Sequence, residues 1–348
     1  MTESSTRPRD PVADLRRIAF LLERAREATY RVRAFRRAAA ALAGLPPDAV
    51  ADRAAHGRLT DLAGVGEVTA RCVAESLAGE VPVYLRRLEE TAGIPVGEGG
   101  AALRAALRGD CHTHSDWSDG GSPIEEMAES ARELGHEWMA LTDHSPRLTV
   151  ANGLSADRLR AQLNEVARLN DTLAPFRILT GIEVDILEDG SLDQEPDLLA
   201  RLDVVVASVH SVLRMPRPQM TRRMVAAVRN PHVDVLGHCT GRMVTGNRKR
   251  PESQFDPDKV FAACVAEGVA VEVNSRPERL DPPKRLLRLA VEAGCLVSID
   301  SDAHAPGQLD WLPYGCDRAA ACAVPVESVV NTGSAEQLLV WAGRHRGG

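Results

Sequence analysis

The sequence of 348 residues lacks the features of a membrane-bound or secreted protein. No apolar run reaches the roughly 18 residues that a transmembrane helix needs. The polar N-terminus does not have the form of a secretory signal peptide. The seven cysteines are odd in number and show no Cys-x-x-Cys spacing, so they predict buried thiols rather than a disulfide framework. We therefore expect a cytoplasmic protein with no membrane partner, and the sequence identifies no protein partner.

The chain also lacks an excess of basic charge and is poor in lysine. Its 42 basic residues are outnumbered by 49 acidic ones, which gives a net charge of −7. This balance excludes a uniformly basic coat for nucleic acid but leaves room for a local basic face. Only Lys249, Lys259 and Lys284 are lysines. Hydrophobic residues make up 44%, so a packed core is feasible, and the length suits one large domain plus a small one.

Residues 1–92 have the pattern of a helical domain. Apolar residues recur at the helical period over residues 12–28 and 32–43. A Gly64-Val65-Gly66 turn then leads into a further helix. Such a turn exposes backbone N–H groups at a helix N-terminus, where the helix dipole favours a phosphate. The pattern resembles a helix-hairpin-helix motif, which grips the DNA backbone, and the alternative is a glycine-rich loop in a helical bundle. We predict DNA contacts at Gly64, Val65, Gly66 and Arg71, with Arg33, Arg36 and Arg37 extending the face.

The remaining sequence predicts a linker followed by an α/β barrel. Glycine and proline are frequent at the start of the segment 93–106, which we interpret as the linker. Strand-like runs then alternate with amphipathic helices through residues 107–348, which predicts right-handed crossovers and a parallel sheet. Seven such units favour a closed or nearly closed barrel, whose active site is expected at the C-terminal rim of the strands. The predicted strands are 108–113, 137–142, 177–183, 203–209, 233–238, 269–274 and 295–300.

Short clusters of histidine and carboxylate residues recur at the ends of these strands. His112 and His114 alternate on one strand, so both side chains point to one face, and Asp302 and His304 repeat the spacing at the last strand. Glu183 can bridge two ions with its two oxygens. Nine such groups exceed what one ion can use, which predicts a multinuclear site for Zn, Mn or Fe. The candidate ligands are His112, His114, Asp119, His144, Glu183, His210, His238, Asp302 and His304.

A site of this kind predicts phosphoester hydrolysis. Two metals a few ångströms apart can clamp an in-line phosphoryl displacement. Basic residues on the predicted rim loops suit phosphate recognition, with solvated surface charge as the alternative. We expect Arg147 and Arg276 to contact the substrate phosphate, and the run Asn247-Arg248-Lys249-Arg250 offers a second path for a nucleic-acid backbone. The residues predicted to be catalytic are His112, His114, Glu183, His210 and Asp302.

Two runs of sequence carry a family resemblance. Residues 109–120 (GDCHTHSDWSDG) and 140–145 (ALTDHS) resemble the PHP (polymerase and histidinol phosphatase) domain, in particular that of bacterial family X DNA polymerases. Residues 12–92 are similar to the N-terminal helical domain of the same polymerases. The resemblance implies a distorted (β/α)7 TIM-like barrel with three divalent metals, Zn or Mn, with Fe also compatible. It assigns His112, His114, Glu183 and Asp302 to the first metal, Glu183, His210 and His238 to the second, and Asp119, His144 and His304 to the third.

Two departures from those polymerases limit the expected activity. The segment between the two regions is too short for a nucleotidyltransferase palm, so polymerisation is not expected. The lysine that would form a Schiff base in the helical domain is matched by Cys72, so lyase activity is not expected either.

The candidate metal site and the family resemblance together predict a metal-dependent phosphoesterase that acts on DNA ends, nicks or gaps in DNA repair, as a 3′–5′ exonuclease or a 3′-phosphatase. The first alternative is a small-molecule phosphatase of histidinol-phosphate or nucleotide type. The second is a non-catalytic DNA-binding scaffold. The ligand set argues against the scaffold, because a structural zinc needs four ligands rather than nine.

Overall fold

The computed structural model describes residues 9–91, 93–94, 96–246 and 249–345. The chain divides into two compact units, Met1–Pro95 and Val96–Gly348. A search of the described residues finds no helix that is both long enough and apolar enough to cross a membrane. All seven cysteines are buried and free, as predicted.

The first unit is helical. Asp10 begins the first helix, because its carboxylate accepts hydrogen bonds from the backbone N–H groups of Val12 and Ala13. Pro47 begins the third helix, since a proline in the first turn has no need of an N–H donor. The buried side chains of Leu15, Ile18 and Leu22 form the centre of the unit. Its α-helices within the described residues are α1 (Pro11–Arg24), α2 (Thr29–Ala43), α3 (Pro47–Ala55), α4 (Glu67–Leu77) and α5 (Val83–Thr91).

The second unit is built on seven parallel strands that pair in sequence order. The first and last strands approach each other through a bridge between Thr113 and Ala303, where His114 N–H donates to the Ala303 carbonyl at 2.8 Å. The predicted fold class, a nearly closed seven-stranded barrel, is therefore confirmed. The strands are β1 (Gly109–Thr113), β2 (Trp138–Leu141), β3 (Arg177–Asp185), β4 (Val204–Ser208), β5 (Val235–Leu236), β6 (Ala270–Asn274) and β7 (Val297–Asp300).

Helices surround this sheet and bury their apolar faces against it. The helix before β3, for example, begins at Ser155, whose side chain caps the Arg158 N–H, and buries Leu159, Val166 and Leu169. The helices are α6 (Glu98–Ala106), α7 (Ile124–Glu133), α8 (Ala156–Leu173), α9 (Pro196–Leu199), α10 (Arg217–Val228), α11 (Pro257–Glu267), α12 (Lys284–Glu292), α13 (Leu312–Ala320) and α14 (Ala335–Ala342).

The predicted linker is wrong from Glu98 onward, where the chain forms α6 and packs against α13. The glycines that suggested a linker serve close packing instead. Gly97 N–H donates to the Asp317 carboxylate at 2.9 Å, and a Cβ atom at Gly100 would collide with the same carboxylate. Glycine permits this approach of backbone to side chain. Leu103 is buried in the barrel core, so α6 belongs to the second unit.

Candidate metal centre

All nine candidate ligands lie at or just beyond the C-terminal ends of the barrel strands. Strand β1 carries His112 and is followed directly by His114, strand β3 carries Glu183, and Asp302 follows β7. Short loops after β2, β4 and β5 carry, in that order, His144, His210 and His238. The loop after β1 turns back sharply, because Gly120 N–H donates to the Ser115 carbonyl at 2.9 Å. A Cβ atom at Gly120 would collide with that carbonyl. This turn carries Asp119 to the rim.

Glu183 lies at the centre of the cluster. Its Oε1 atom is 2.9 Å from Nε2 of His238 and 3.2 Å from Nε2 of His210. Its Oε2 atom is 2.7 Å from Nδ1 of His144 and 3.4 Å from Nε2 of His112. The two oxygens therefore face different sets of imidazoles, which is the arrangement a bridging carboxylate requires.

The innermost group consists of His112, His114, Glu183 and Asp302. Nε2 of His114 is 3.8 Å from Oε2 of Glu183 and 3.5 Å from Oδ1 of Asp302. Nε2 of His112 is 4.0 Å from the same Asp302 oxygen. Ligand atoms about 2.0–2.1 Å from a tetrahedral zinc are roughly 3.3 Å apart. The observed separations are close to that spacing.

A second group lies nearer the solvent and includes Asp119, His144 and His304. Oδ1 of Asp119 is 3.5 Å from Nε2 of His144 and 3.4 Å from Nε2 of His304. The His114 ring is close to both histidines, with ring centroids 4.4 Å and 4.2 Å away. The Asp119 side chain is 38% exposed, whereas that of Glu183 is fully buried. This group is therefore the most accessible part of the centre.

Unpartnered buried atoms show that the centre fits divalent cations. Nε2 of His112, both ring nitrogens of His114, both carboxylate oxygens of Glu183 and Nε2 of His210 and His238 are buried without a hydrogen-bond partner. Such groups are costly to bury unless something satisfies them. Imidazole nitrogens and carboxylate oxygens that converge in this way are suitable ligands for Zn or Mn.

The electrostatics of the site favour ionised carboxylates. Burial raises the pKa of Glu183, but the rings of His210, His112 and His144 outweigh it and hold the pKa well below the usual range. Burial likewise raises the pKa of Asp302, and the Arg279 guanidinium outweighs it, so that this pKa is also well below its usual range. Burial and Arg276 lower the pKa of His304 to about 3. These shifts favour the anionic forms of Glu183 and Asp302 and the neutral form of the His304 ring.

Two arginines on the loop after β6 reach the centre. Nε of Arg279 is 3.0 Å from Oδ2 of Asp302, and a terminal nitrogen of Arg276 is 4.0 Å from Oδ1. The guanidinium of Arg276 also lies over the Trp311 ring, 5.9 Å from its centroid. Arg147 is exposed on the loop after β2, and its backbone N–H donates to Asp193 at 2.9 Å.

The basic run 247–250 is only partly described, because Asn247 and Arg248 lie outside the described residues. Arg250 is half-buried, and its Nε donates to the Gly241 carbonyl at 2.5 Å. Lys249 is exposed. Arg250 therefore contributes one side-chain contact to the local fold, and the role of this run along a nucleic-acid backbone stays a prediction.

Several polar residues that contact the candidate ligands were not predicted from the sequence. Glu272 and Asn274 on β6 are fully buried. Glu272 hydrogen-bonds to His112, and Asn274 hydrogen-bonds to Asp302. Asp185 accepts a hydrogen bond from the His210 backbone N–H at 3.1 Å. One signal was present in the sequence. Glu272 and Asn274 alternate with valines on a predicted strand, which directs both polar side chains to one face.

The helical unit presents a separate candidate nucleic-acid interface. Gly64 has φ of +94° in the turn before α4, a conformation that favours glycine. Thr69 accepts the Gly66 N–H at 2.9 Å, so this amide is used within the turn. The remaining first-turn amides of α4 have no partner within the helix. Arg33, Arg37 and Arg71 are exposed, and Gly64 lies directly against Arg37. Arg36, which was expected to extend this face, is instead largely buried and paired with Glu23 at 2.8 Å.

The fold and the rim together define a β/α-barrel hydrolase with a histidine–carboxylate metal site, preceded by a helical unit. Residues 110–276 match the family model described as PHP domain, and residues 8–81 match the model described as helix-hairpin-helix domain. A probable phosphatase of Thermoanaerobacter sp. (strain X514) is 31% identical over 206 residues, which cover 56% of this chain and 78% of that protein. The chain belongs to the PHP family of phosphoesterases, and the predicted resemblance is confirmed.

Two further comparisons are with a protein longer than this chain and with a solved structure. The DNA polymerase/3′-5′ exonuclease PolX of Bacillus subtilis (strain 168) is 40% identical over 232 residues, or 67% of this chain. The matched part spans only 40% of the Bacillus protein. A histidinol phosphate phosphatase from Lactococcus lactis, solved with zinc, L-histidinol and phosphate, aligns with a TM-score of 0.47 at 17% identity, covering 62% of this chain and 92% of that one.

Proposed function

We propose that this phosphoesterase acts on DNA ends, nicks or gaps during repair, as a 3′–5′ exonuclease or a 3′-phosphatase. The observation that carries the proposal is the pairing, in one chain, of a helix-hairpin-helix unit with a rim of nine histidine and carboxylate groups. The Bacillus relative is named a DNA polymerase and 3′-5′ exonuclease, and this name supports DNA as the substrate. The cytoplasmic location stays a prediction.

Three divalent cations, Zn or Mn with Fe also compatible, would occupy the rim. His112, His114, Glu183 and Asp302 would hold the first, Glu183, His210 and His238 the second, and Asp119, His144 and His304 the third. The proximity of His114 to the third group suggests that it faces both the first and third positions. When bound, such cations polarise the phosphoryl group and make water a better nucleophile. We assign the catalytic role to His112, His114, Glu183, His210 and Asp302.

The protein's own residues would orient the phosphoester. Arg276 and Arg279 place positive charge beside Asp302, where they can hold phosphate oxygens in position. Arg147 is the outer candidate, because it is exposed on the neighbouring loop. Glu183 keeps the ligand histidines together through both of its oxygens. The Glu183 side chain is fully buried, and the low dielectric around a buried charge strengthens these interactions.

The helical unit would bind the DNA backbone. Gly64, Val65 and Gly66 form the turn, and Arg71 with Arg33 and Arg37 adds exposed positive charge. Backbone amides at a helix N-terminus favour phosphate groups irrespective of sequence. Val65 is buried and anchors the turn to the unit. Binding of this kind should be weak alone and sensitive to salt.

A small-molecule phosphatase is the second candidate. The 31% sequence identity to the Thermoanaerobacter protein, which is named a probable phosphatase, favours this alternative. The scaffold alternative has no comparable support, because nine convergent ligands exceed the needs of a structural ion.

A substrate panel tests the proposal. The purified chain is incubated with oligonucleotides that end in a 3′-hydroxyl or a 3′-phosphate and with histidinol phosphate, each with Mn²⁺ or Zn²⁺. We expect one or both oligonucleotides to be consumed. Consumption of histidinol phosphate alone would contradict the proposal and favour the second candidate, and a metal-loaded chain that consumes nothing would favour the scaffold.

A further inference from the structure

Strand β6 carries none of the candidate ligands, although β6 lies between two strands whose ends lead into His238 and Asp302. Its sequence is Ala-Val-Glu-Val-Asn, and every residue is buried. Val271 and Val273 join the hydrophobic core. Glu272 and Asn274 point to the other face and are fully buried beside the metal centre. A buried carboxylate in this position requires specific partners.

Glu272 receives three hydrogen-bond donors. Its Oε1 atom is 2.6 Å from Nδ1 of His112. Its Oε2 atom accepts the backbone N–H of His238 and, at 3.3 Å, Nδ2 of Asn274. The Glu272 carboxylate accepts from both other donors, and acceptance from Nδ1 of His112 completes this pattern and places the ring proton on Nδ1. Nε2 of His112 is then left with its lone pair directed at Glu183, 3.4 Å away.

Asn274 continues the same network to the other side of the centre. Its Nδ2 donates to Oδ2 of Asp302 at 3.0 Å, and its Oδ1 accepts the Arg276 backbone N–H at 3.1 Å. Asp302 has φ of +53°, a conformation that is uncommon for residues other than glycine and is retained where surrounding contacts hold it. With Oδ2 held by Asn274 and Arg279, Oδ1 faces His114.

We propose that Glu272 and Asn274 are positioning residues that orient His112 and Asp302 toward the first metal. The inference rests on the metal-dependent function proposed above and assigns to β6 the role of supporting ligands that other strands supply. A carboxylate behind a histidine ligand selects the ring tautomer and raises the basicity of the ligand nitrogen. Loss of such a partner typically lowers metal affinity 10- to 100-fold.

The substitution Glu272→Gln distinguishes this role from ordinary core packing. Glutamine has nearly the same shape, but one of its terminal atoms is an NH2 donor. If that group faces the His238 and Asn274 donors, two hydrogen bonds are lost. If it faces His112, Nδ1 must accept, the proton moves to Nε2, and the ligand nitrogen is blocked. Either orientation disturbs the first metal position.

The test measures Zn²⁺ affinity of the full chain by competition with a chromogenic chelator, together with the visible absorption of the Co²⁺-loaded protein. We expect Glu272→Gln to lower the affinity of the tightest site about 10- to 100-fold and to alter the Co²⁺ bands. The matched control is Asp234→Asn, since Asp234 is also fully buried but accepts the Val205 N–H at the N-terminal end of the strands. It should leave both readouts unchanged.

Wild-type affinity and spectrum in Glu272→Gln, or equal losses in Glu272→Gln and Asp234→Asn, would overturn the assignment. If Glu272→Gln does not fold, Asn274→Ala decides in its place, with an expected loss of a few-fold and an altered Co²⁺ spectrum. The ¹⁵N shifts of His112 in the zinc-loaded wild type provide a check without any substitution, and an Nε2–H tautomer there would contradict the proposal. A wild type that binds no metal would instead refute the proposed function itself.

Discussion

Oε1 of Glu183 lies 2.9 Å from Nε2 of His238, while its other oxygen faces a different set of histidines. Because one carboxylate serves two groups of ligands, its removal should release more than one metal. We expect Glu183→Gln to bind at least one ion fewer than Asp119→Asn, whose side chain lies beside His144 and His304 in the outer group. Elemental analysis after gel filtration measures the bound metal. Equal metal contents in the two variants would show that Glu183 is not shared.

Arg276 should contribute to substrate binding more than Arg147 does. Its guanidinium lies beside Asp302 and Trp311, whereas Arg147 is exposed on a loop. We expect Arg276→Ala to raise KM for a phosphoester about tenfold, which corresponds to roughly 1.4 kcal/mol. Arg147→Ala is the matched control and should change KM by less. Steady-state kinetics at saturating metal measure both, and the reverse order of effects would count against the Arg276 assignment.

The convergence of the candidate ligands on one rim was predictable because two local rules apply to them. His112 and His114 share a strand face through their spacing, and parallel strands direct their C-terminal ends to one rim. Glu272 was not predictable in the same way, because its partner His112 lies 160 residues away. That pairing depends on the register of the closed barrel. The helix at Glu98–Ala106 was missed for another reason, since glycines that predict a linker also permit close helix packing.

The hairpin should supply most of the DNA affinity of the helical unit. We expect the double variant Arg37→Glu/Arg71→Glu to weaken binding to a nicked duplex at least tenfold at low salt. The salt dependence should also fall, because each lost phosphate contact removes about 0.9 from the slope of log K against log salt. Arg86→Glu, an exposed charge reversal on α5, is the control. Fluorescence anisotropy across a salt series measures the difference.

An unchanged affinity in the double variant would exclude the hairpin as the DNA-binding element. A loss of equal size in Arg86→Glu would show that net charge of the unit, rather than the turn, determines binding.

His136 should make the protein less stable in mild acid. Burial, with a smaller effect of Arg104, lowers its pKa to about 3, and a terminal nitrogen of Arg104 lies 3.3 Å from its Nε2. In the unfolded chain His136 binds a proton at about pH 6.5, whereas in the folded chain it does so only near pH 3. The contribution of His136 to the free energy of unfolding is therefore fully present above about pH 6.5 and is lost as the pH falls from there toward 3. Between pH 7 and pH 5 the loss from this group should be about 2 kcal/mol.

Denaturant unfolding of His136→Gln and wild type, both with a chelator present, measures this contribution. The variant should lose about 2 kcal/mol less than wild type between the two pH values. His56→Gln is the control, because the His56 side chain is 61% exposed. Parallel pH profiles for wild type and His136→Gln would show that the histidine is not buried as a neutral ring.

The histidine and carboxylate rim should hydrolyse phosphoesters at DNA ends. The most direct measurement follows release of nucleotide or phosphate from the 3′ end of a nicked duplex by wild type and by His112→Ala, in the same Mn²⁺ concentration. DNA affinity is measured in parallel. We expect release by wild type, a loss of at least a hundredfold in His112→Ala, and unchanged DNA affinity. Undiminished release by the variant, or no release by metal-loaded wild type, would contradict it.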